Sequence, residues 1–536
     1  MEVRNPWEKK PSFVQQAAVL AAASLFTRFI GFLYRLPLTD LIGDEGNAYY
    51  GAAYTIYLFA LIVSAASLPA AISKMVSERL ALHQYRNAHE VFRLSMLLAL
   101  GLGAAGALFL ALGADWLAEI TRYPAASYAI MTLAPTIFIV SVMAVFRGYF
   151  QGMGNAAPTA ASQTLEQIVN AAATLWLAYM FYDAAQIEFS AAGAAAGTGL
   201  GAAAGLLAVG GMYAAAARTI KRRVAEDYFT SRYEFRSALV AEIIKTALPI
   251  VIGMALFNIA SIIDMTMVSG RLEAGGAFSP EEIRVLFGRL TGKYVVLTTL
   301  PVALSTALAV AAVPSIAGSF VLTDKRAVRS KIRTSLRLSM MVSIPAAVGM
   351  GVLSEPILTL LFPRHAEGAD LLRYGAVSIV FLALTQIVTG ILQGIGRVNI
   401  PLIGAFFGML VKIPLNYFLI ANPDINVVGA VISTCACYFV AAAIDIRFLK
   451  KYVRIRLGVA DALVKPLMAS AVMGLFCYTA FHLCMYASQH NTLSVTVAVL
   501  FGVAVYILYM ALIKGFRRDE INRLPVGKRV KRLLAR

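Results

Sequence analysis

Fourteen stretches of this chain run for about 20 residues or more on mostly apolar side chains, enough to cross a bilayer. They fall at roughly 12–36, 48–73, 91–113, 125–149, 158–182, 190–217, 241–270, 286–317, 332–353, 370–393, 400–421, 427–449, 461–486 and 493–514. In lipid each segment must bond its own backbone, so such runs predict transmembrane α-helices. Of 536 residues, 59% are apolar and 14% charged. A soluble domain sits near ~45–50% and ~25%. Forty Gly and nineteen Pro lie scattered in the apolar runs, as membrane helices tolerate. The first run is too long, and lacks the small-residue cleavage site, for a removable signal peptide. The expected fold is an all-α polytopic membrane protein.

The net charge of +18 would suit a nucleic-acid binder, but no basic domain stands outside the spans. With the N-terminus in the cytoplasm, 35 of the 47 Lys and Arg fall on the inner side and seven in outer loops. The positive-inside rule therefore places both termini inside, beside anionic lipids of the cell membrane. An even span number follows, in agreement with fourteen. Cys435, Cys437, Cys477 and Cys484 all lie within apolar segments. They read as small hydrophobes, without metal-ligand spacing.

An internal repeat sets the domain organisation. Arg93-Leu-Ser-Met96 returns as Arg337-Leu-Ser-Met340, and Gln151-Gly-Met-Gly154 as Gln393-Gly-Ile-Gly396. Leu68-Pro69 is echoed by Val313-Pro314, and Tyr123-Pro124 by Phe362-Pro363. The offsets all lie between 239 and 245. Spans 1–6 and 7–12 are therefore expected to be two parallel copies, six-helix lobes at 1–217 and 241–449. A basic cytoplasmic linker, 218–240, joins them. Two further spans within 450–514 and a basic cytoplasmic tail, 515–536, follow.

Enzyme motifs fail on inspection. Gly288-Arg-Leu-Thr-Gly292-Lys293-Tyr294 has one residue too few for a phosphate-binding loop, and Tyr stands where a magnesium-binding hydroxyl belongs. The five histidines do not cluster, and His83 and His89 read as a solvated basic loop. Asp40 and Asp44 lack an opposing acidic cluster, so they read as capping or turn residues. No cofactor and no metal is expected. The informative residues are charges inside the spans, each costing at least ~2.5–3.5 kcal/mol at mid-bilayer. Arg28 lies deep in the first span and Arg35 two turns further, on the same face. Arg35 could instead snorkel to the interface. Asp264 in span 7 is the acidic counterpart from the second copy. Glu166 and Lys412 hold related places in spans 5 and 11, each followed four residues on by Asn (Asn170, Asn416). Structural ion pairing and transport both remain open for those two. Lys245 and Arg147, near inner ends of spans, read as anchors.

Ser24-Leu-Phe-Thr-Arg28-Phe-Ile-Gly31-Phe-Leu-Tyr-Arg35, with Leu41-Ile-Gly43 and Leu68-Pro-Ala-Ala-Ile-Ser-Lys74, resembles the opening of the MurJ-type lipid flippases. The Gln-Gly-x-Gly after spans 4 and 10 is similar to the polysaccharide-transporter branch of the multidrug/oligosaccharidyl-lipid/polysaccharide exporter superfamily. Ala-Ile-Ser-Lys is nearest its YtgP and stage V sporulation protein B group. The resemblance covers the whole chain. It implies two lobes around a cationic cavity that opens alternately to either side, with spans 13 and 14 forming a groove for a polyprenyl tail. It implies substrate contacts for Arg28 and, with a one-residue shift, Arg35. Basic family positions at the start of span 8 fall on Arg289 or Lys293, and an acidic one falls on Asn47, which carries no carboxylate.

The expected function is a flippase, acting as a monomer, for an undecaprenyl-pyrophosphate-linked cell-wall precursor, lipid II foremost. Paired arginines suit its diphosphate. Another lipid-linked oligosaccharide is the near alternative. A cation-coupled multidrug exporter would want an acidic cavity, and span-1 charges have the opposite sign. An integral membrane transferase would need an acidic or His-centred site that the sequence lacks.

Overall fold

The computed structural model describes residues 13–183, 186–227, 234–321, 324–397, 399–455, 458, 460–513 and 515. Residues 516–536 of the tail expected at 515–536, and linker residues 228–233, lie outside them. Every described element is helical. The chain forms two compact units: residues 1–296 with 416–426, and residues 297–415 with 427–536.

The first unit contains α1 (Phe13–Leu61), α2 (Leu68–Ala81), α3 (Tyr85–Ile120), α4 (Ser127–Gly152), α5 (Ala157–Met180), α6 (Ile187–Glu226), α7 (Arg236–Gly275) and α8 (Pro280–Gly288). Proline opens α2, α5 and α8, where no intrahelical N–H is lost. A reciprocal Ser279/Glu282 box caps α8. In α6, Gly193, Gly197, Gly201 and Gly205 recur every four residues and form one stripe along the helix. A Cβ at Gly197 would strike the backbone of Thr174, one at Gly193 the carbonyl of Leu177, and one at Gly201 that of Glu166. The stripe lets α5 and α6 touch backbone to backbone, the small-residue contact of membrane helices. Met75, Val76, Phe92, Tyr149 and Phe150 form the core at the other end of the unit. His89 belongs to it, not to a solvated loop: it is buried, stacks on Phe92 and lies 3.4 Å from the Tyr149 hydroxyl.

The second unit continues through α9 (Val295–Val321), α10 (Lys325–Val352), α11 (Ser354–Leu361), α12 (Ala369–Gly375), α13 (Ser378–Gly394), α14 (Ile400–Leu419), α15 (Val428–Val453), α16 (Lys465–Ser488) and α17 (Asn491–Leu512). Ile316, Ile332, Leu336, Ile387, Ile391 and Leu449 make one apolar cluster. Met473, Cys477, Ala498 and Tyr506 make another, where α16 and α17 pack beside α10. The Tyr506 hydroxyl donates to the Met341 carbonyl at 2.9 Å.

All fourteen expected segments fall on helices. Ten described helices are long and apolar enough to cross a membrane, or eleven if α12 and α13, bent by 49°, are one span. The difference from fourteen has physical sources. The first two expected spans form one run, Ala22–Ala81, and Gln163, Glu166, Gln167 and Asn170 lower the hydropathy of α5.

Repeated residues adopt repeated backbone. Tyr123 (φ −126°, ψ 70°) and Phe362 (φ −132°, ψ 71°) precede their prolines alike. After α4 and α13, Gly154 and Gly396 take φ of 75° and 76°. Their N–H groups return to the carbonyls of Gln151 and Gln393 at 2.9 and 3.0 Å. A left-handed glycine closing a helix in this way is the reason for the second Gly of Gln-Gly-x-Gly. The match is not complete: Arg93 is exposed and Arg337 is buried.

Candidate functional site

The site begins at a break in α1. Gly43, at φ 67° and ψ −173°, leaves the helical region and ends one helical segment, so that Asp44 and Asn47 lie in the first turn of the next. The Asn47 amide bonds back to the Gly43 carbonyl at 2.6 Å, fixing the corner. Opposite it, the chain after α8 continues as a π-helical turn, Arg289–Tyr294, a form that recurs at functional positions. Glycine lines this contact. A side chain at 288 would collide with the Asp44 carbonyl, and one at 292 would lie 2.6 Å from the Asn47 amide carbon.

That approach puts three charges together. The Lys293 ammonium is 2.7 Å from Asp44 Oδ1, and Arg289 Nε donates to Oδ2 at 3.0 Å. Lys293 is 2% exposed and Asp44 6%, so the carboxylate is held between two cations away from water. One turn outward, Arg284 Nε donates to Glu45 at 2.8 Å, and so does the Tyr49 hydroxyl. The inner cluster of Asp44, Arg289 and Lys293 carries one excess positive charge. Sequence reasoning named Arg289, Lys293 and Asn47 but assigned Asp44 to a turn. The signal was available: Gly288 and Gly292 stand one turn apart and mark where another backbone can approach, and Asp44 follows the Gly43 break.

Arg35 lies on α1 before the Gly43 break, its guanidinium 5.2 Å from the Tyr50 ring and 5.3 Å from the Tyr54 ring. Two aromatic faces hold the cation without neutralising it. Arg28 is exposed and forms no ion pair among the described residues, so Asp264 is not its partner. Asp264 instead accepts from the Asn416 amide at 2.9 Å. Glu166 receives Arg147 at 2.6 Å, and Ser162 receives the same Arg147 Nη2 at 2.7 Å. Arg147 is thus an internal partner as well as a helix-end residue. Lys412, on α14, is buried. Among the described residues no three His, Cys, Asp or Glu gather as metal ligands would. Guanidinium and ammonium groups such as those of Arg35, Arg289 and Lys293 have the chemistry to bind an anion.

Residues 13–320 match the family model described as polysaccharide biosynthesis protein, and residues 295–418 match the MatE model. Among curated proteins, the chain is similar to lipid II flippase MurJ of Bacillus subtilis (strain 168): 26% identity, covering 95% of this chain and 96% of that protein. It is also similar to stage V sporulation protein B of the same organism, at 23% identity over 96% and 98%. Two solved structures share its fold. One is lipid II flippase MurJ in an inward closed conformation, with a TM-score of 0.65, 14% identity, and 92% and 98% of the chains covered. The other is an inward-facing multidrug resistance MATE family transporter of the MOP superfamily, with a TM-score of 0.65, 17% identity, and 82% and 98% covered.

Proposed function

The chain belongs to the polysaccharide biosynthesis protein family, and from that premise we propose that it is a flippase. It carries an undecaprenyl-pyrophosphate-linked cell-wall precursor, lipid II foremost, from the inner to the outer leaflet. The observation that carries this reading is the sign and state of the charges. Arg28 is exposed and forms no ion pair among the described residues, Arg35 is held over two rings, and Arg289 and Lys293 share one carboxylate. A diphosphate has the charge and the oxygens to bridge planar guanidinium groups. A drug cation would need carboxylates instead, and Glu166 is already committed to Arg147.

In this mechanism Arg28 and Arg35 capture the diphosphate, while Asp44 keeps Arg289 and Lys293 occupied. An arriving phosphate competes for those two cations. Winning them releases the contact between the Gly43 corner and the π-helical turn. The α16–α17 pair offers apolar surface to the polyprenyl tail. Fourteen spans, both termini in the cytoplasm, a monomeric protein and a cell-membrane location complete the proposal. The test is a leaflet assay: the purified chain in liposomes holding fluorescent lipid II, with label outside quenched by an impermeant reductant. Accelerated exchange by the native chain, lost in Arg28→Ala, is expected. Equal protein-dependent exchange of lipid II and of a neutral polyprenyl alcohol would overturn the reading.

A further inference from the structure

One carboxylate in the second unit has no role in this scheme. Asp445, on α15, is fully buried, and neither of its oxygens has a hydrogen-bond partner among the described residues. It lies about 12 Å along the axis from the Val453 end of its helix. The facing residue on α14 is Gly404, where a Cβ would lie 2.6 Å from Asp445 Oδ1 and 3.1 Å from the Ala441 carbonyl. The absent side chain at 404 makes the space in which the carboxyl sits. Ala441, Ala442 and Leu449 on α15 are buried around it.

Charged groups nearby do not balance it. The charges of α15 itself are Arg447, two residues on, and Lys450 and Lys451, between one and two turns toward the helix end. On α14 the charge is Lys412, two turns beyond Gly404. α13 carries no charged side chain, and Arg397 at its end stacks on Tyr452. From α10, Arg329 reaches the Val453 carbonyl, while Lys325, Arg326, Lys331, Arg333 and Arg337 complete its charges. Asp370 and Arg373 of α12 lie within ion-pair distance of each other, at 3.9 Å. None of these lies within ion-pair distance of Asp445.

An ionised carboxylate buried without a partner is costly enough that such a group takes a proton instead. We propose that Asp445 is a proton-binding site: it holds one proton in this state and releases it when α14 and α15 part. The step is a simple acid dissociation, carboxyl plus water giving carboxylate plus hydronium, and no other reactant enters. Opening the Gly404–Asp445 contact admits water, and the group then ionises. The conformational change and proton release are thereby linked. The site deepens the transport reading and rests on it for its use, though not for its chemistry.

The test is proton counting on the purified full chain. Unfolded by detergent at pH 7 in a weakly buffered solution with a pH dye, the native protein should release about one proton more than Asp445→Asn, by linkage. Infrared spectroscopy of the folded protein should show a protonated-carboxyl stretch that Asp445→Asn lacks and that Gly404→Ala shifts. If Asp445→Asn does not fold, carbon-13-labelled aspartate in the native protein reports the same carboxyl by solid-state NMR. Equal proton counts, or an ionised Asp445 in the folded chain, would overturn the site. So would sodium-dependent protection of an ionised Asp445. Failure of lipid II exchange with the carboxyl signal intact would count against the flippase reading instead.

Discussion

Asp44, Lys293 and Arg28 show how differently three charged residues can serve in one unit. Lys293 is almost fully buried, and its ammonium lies 2.7 Å from Asp44 Oδ1. Removing one partner of such a pair leaves a buried charge uncompensated, at about 3–5 kcal/mol. Arg289 still holds the other oxygen, so Lys293→Ala should fall at the lower end. It should lower the thermal midpoint in detergent by several degrees. Combining Lys293→Met with Asp44→Asn should restore most of the midpoint while transport stays impaired, because both the charge and its latch are gone. A double variant no more stable than the single would show that the pair is not the origin of the loss. Arg28 behaves oppositely. With no ion pair to break among the described residues, Arg28→Ala should leave the midpoint unchanged and abolish lipid II exchange. Arg28→Lys should recover only part of it, keeping charge but losing the planar fork. Normal exchange by Arg28→Ala would remove it from the substrate path.

At the scale of elements, apolar length and punctuation made each helix legible, while the contacts between helices were less so. The prolines opening α2, α5 and α8, and the glycines closing α4 and α13, mark helix ends by local chemistry alone. The π-helical turn after α8 has no such local signal, although Gly288 and Gly292 mark the close approach there that brings Lys293 to Asp44. Arg147 with Glu166 was hidden, since their 19-residue separation spans a turn between helices and not one helical face. The glycine stripe of α6 is a signal that sequence does carry, and it separates two kinds of glycine in one helix. Gly197 abuts the Thr174 backbone, whereas Gly211 has no atom within 4 Å of an added Cβ. Gly197→Ala should therefore force α5 and α6 apart, costing about 1–3 kcal/mol or more as overpacking does. Gly211→Ala should be neutral or mildly stabilising, since Ala favours helix by ~1 kcal/mol. Thermal midpoints and monodispersity of the two variants, measured side by side, decide it. Equal behaviour would mean the α5–α6 contact is looser than the stripe implies.

For the whole molecule, charge placement makes the strongest sequence-borne statement, because it rests on where 47 basic residues lie and not on any one contact. Orientation follows the side that keeps Lys and Arg from crossing, and on that rule the expected inner side would take the linker, α10's first turns and the end of α15. In the structure the repeated motifs also share backbone form: Tyr123 with Phe362, and Gly154 with Gly396, take nearly the same angles. A parallel repeat requires that corresponding corners face the same side of the membrane. The Gln-Gly-x-Gly corners should then both be cytoplasmic and the Tyr-Pro and Phe-Pro corners both external. Single cysteines placed in a cysteine-free background at Asn155 and Arg397 should react with an impermeant maleimide only in inverted vesicles. Cysteines at Arg122 and Arg364 should react only in intact cells. Like labelling within each pair, and opposite labelling between pairs, is the pattern that two parallel copies demand. If Asn155 and Arg397 were labelled from opposite sides, the copies would be inverted. The fourteen-span topology and the shared cytoplasmic placement of both termini would then fall together.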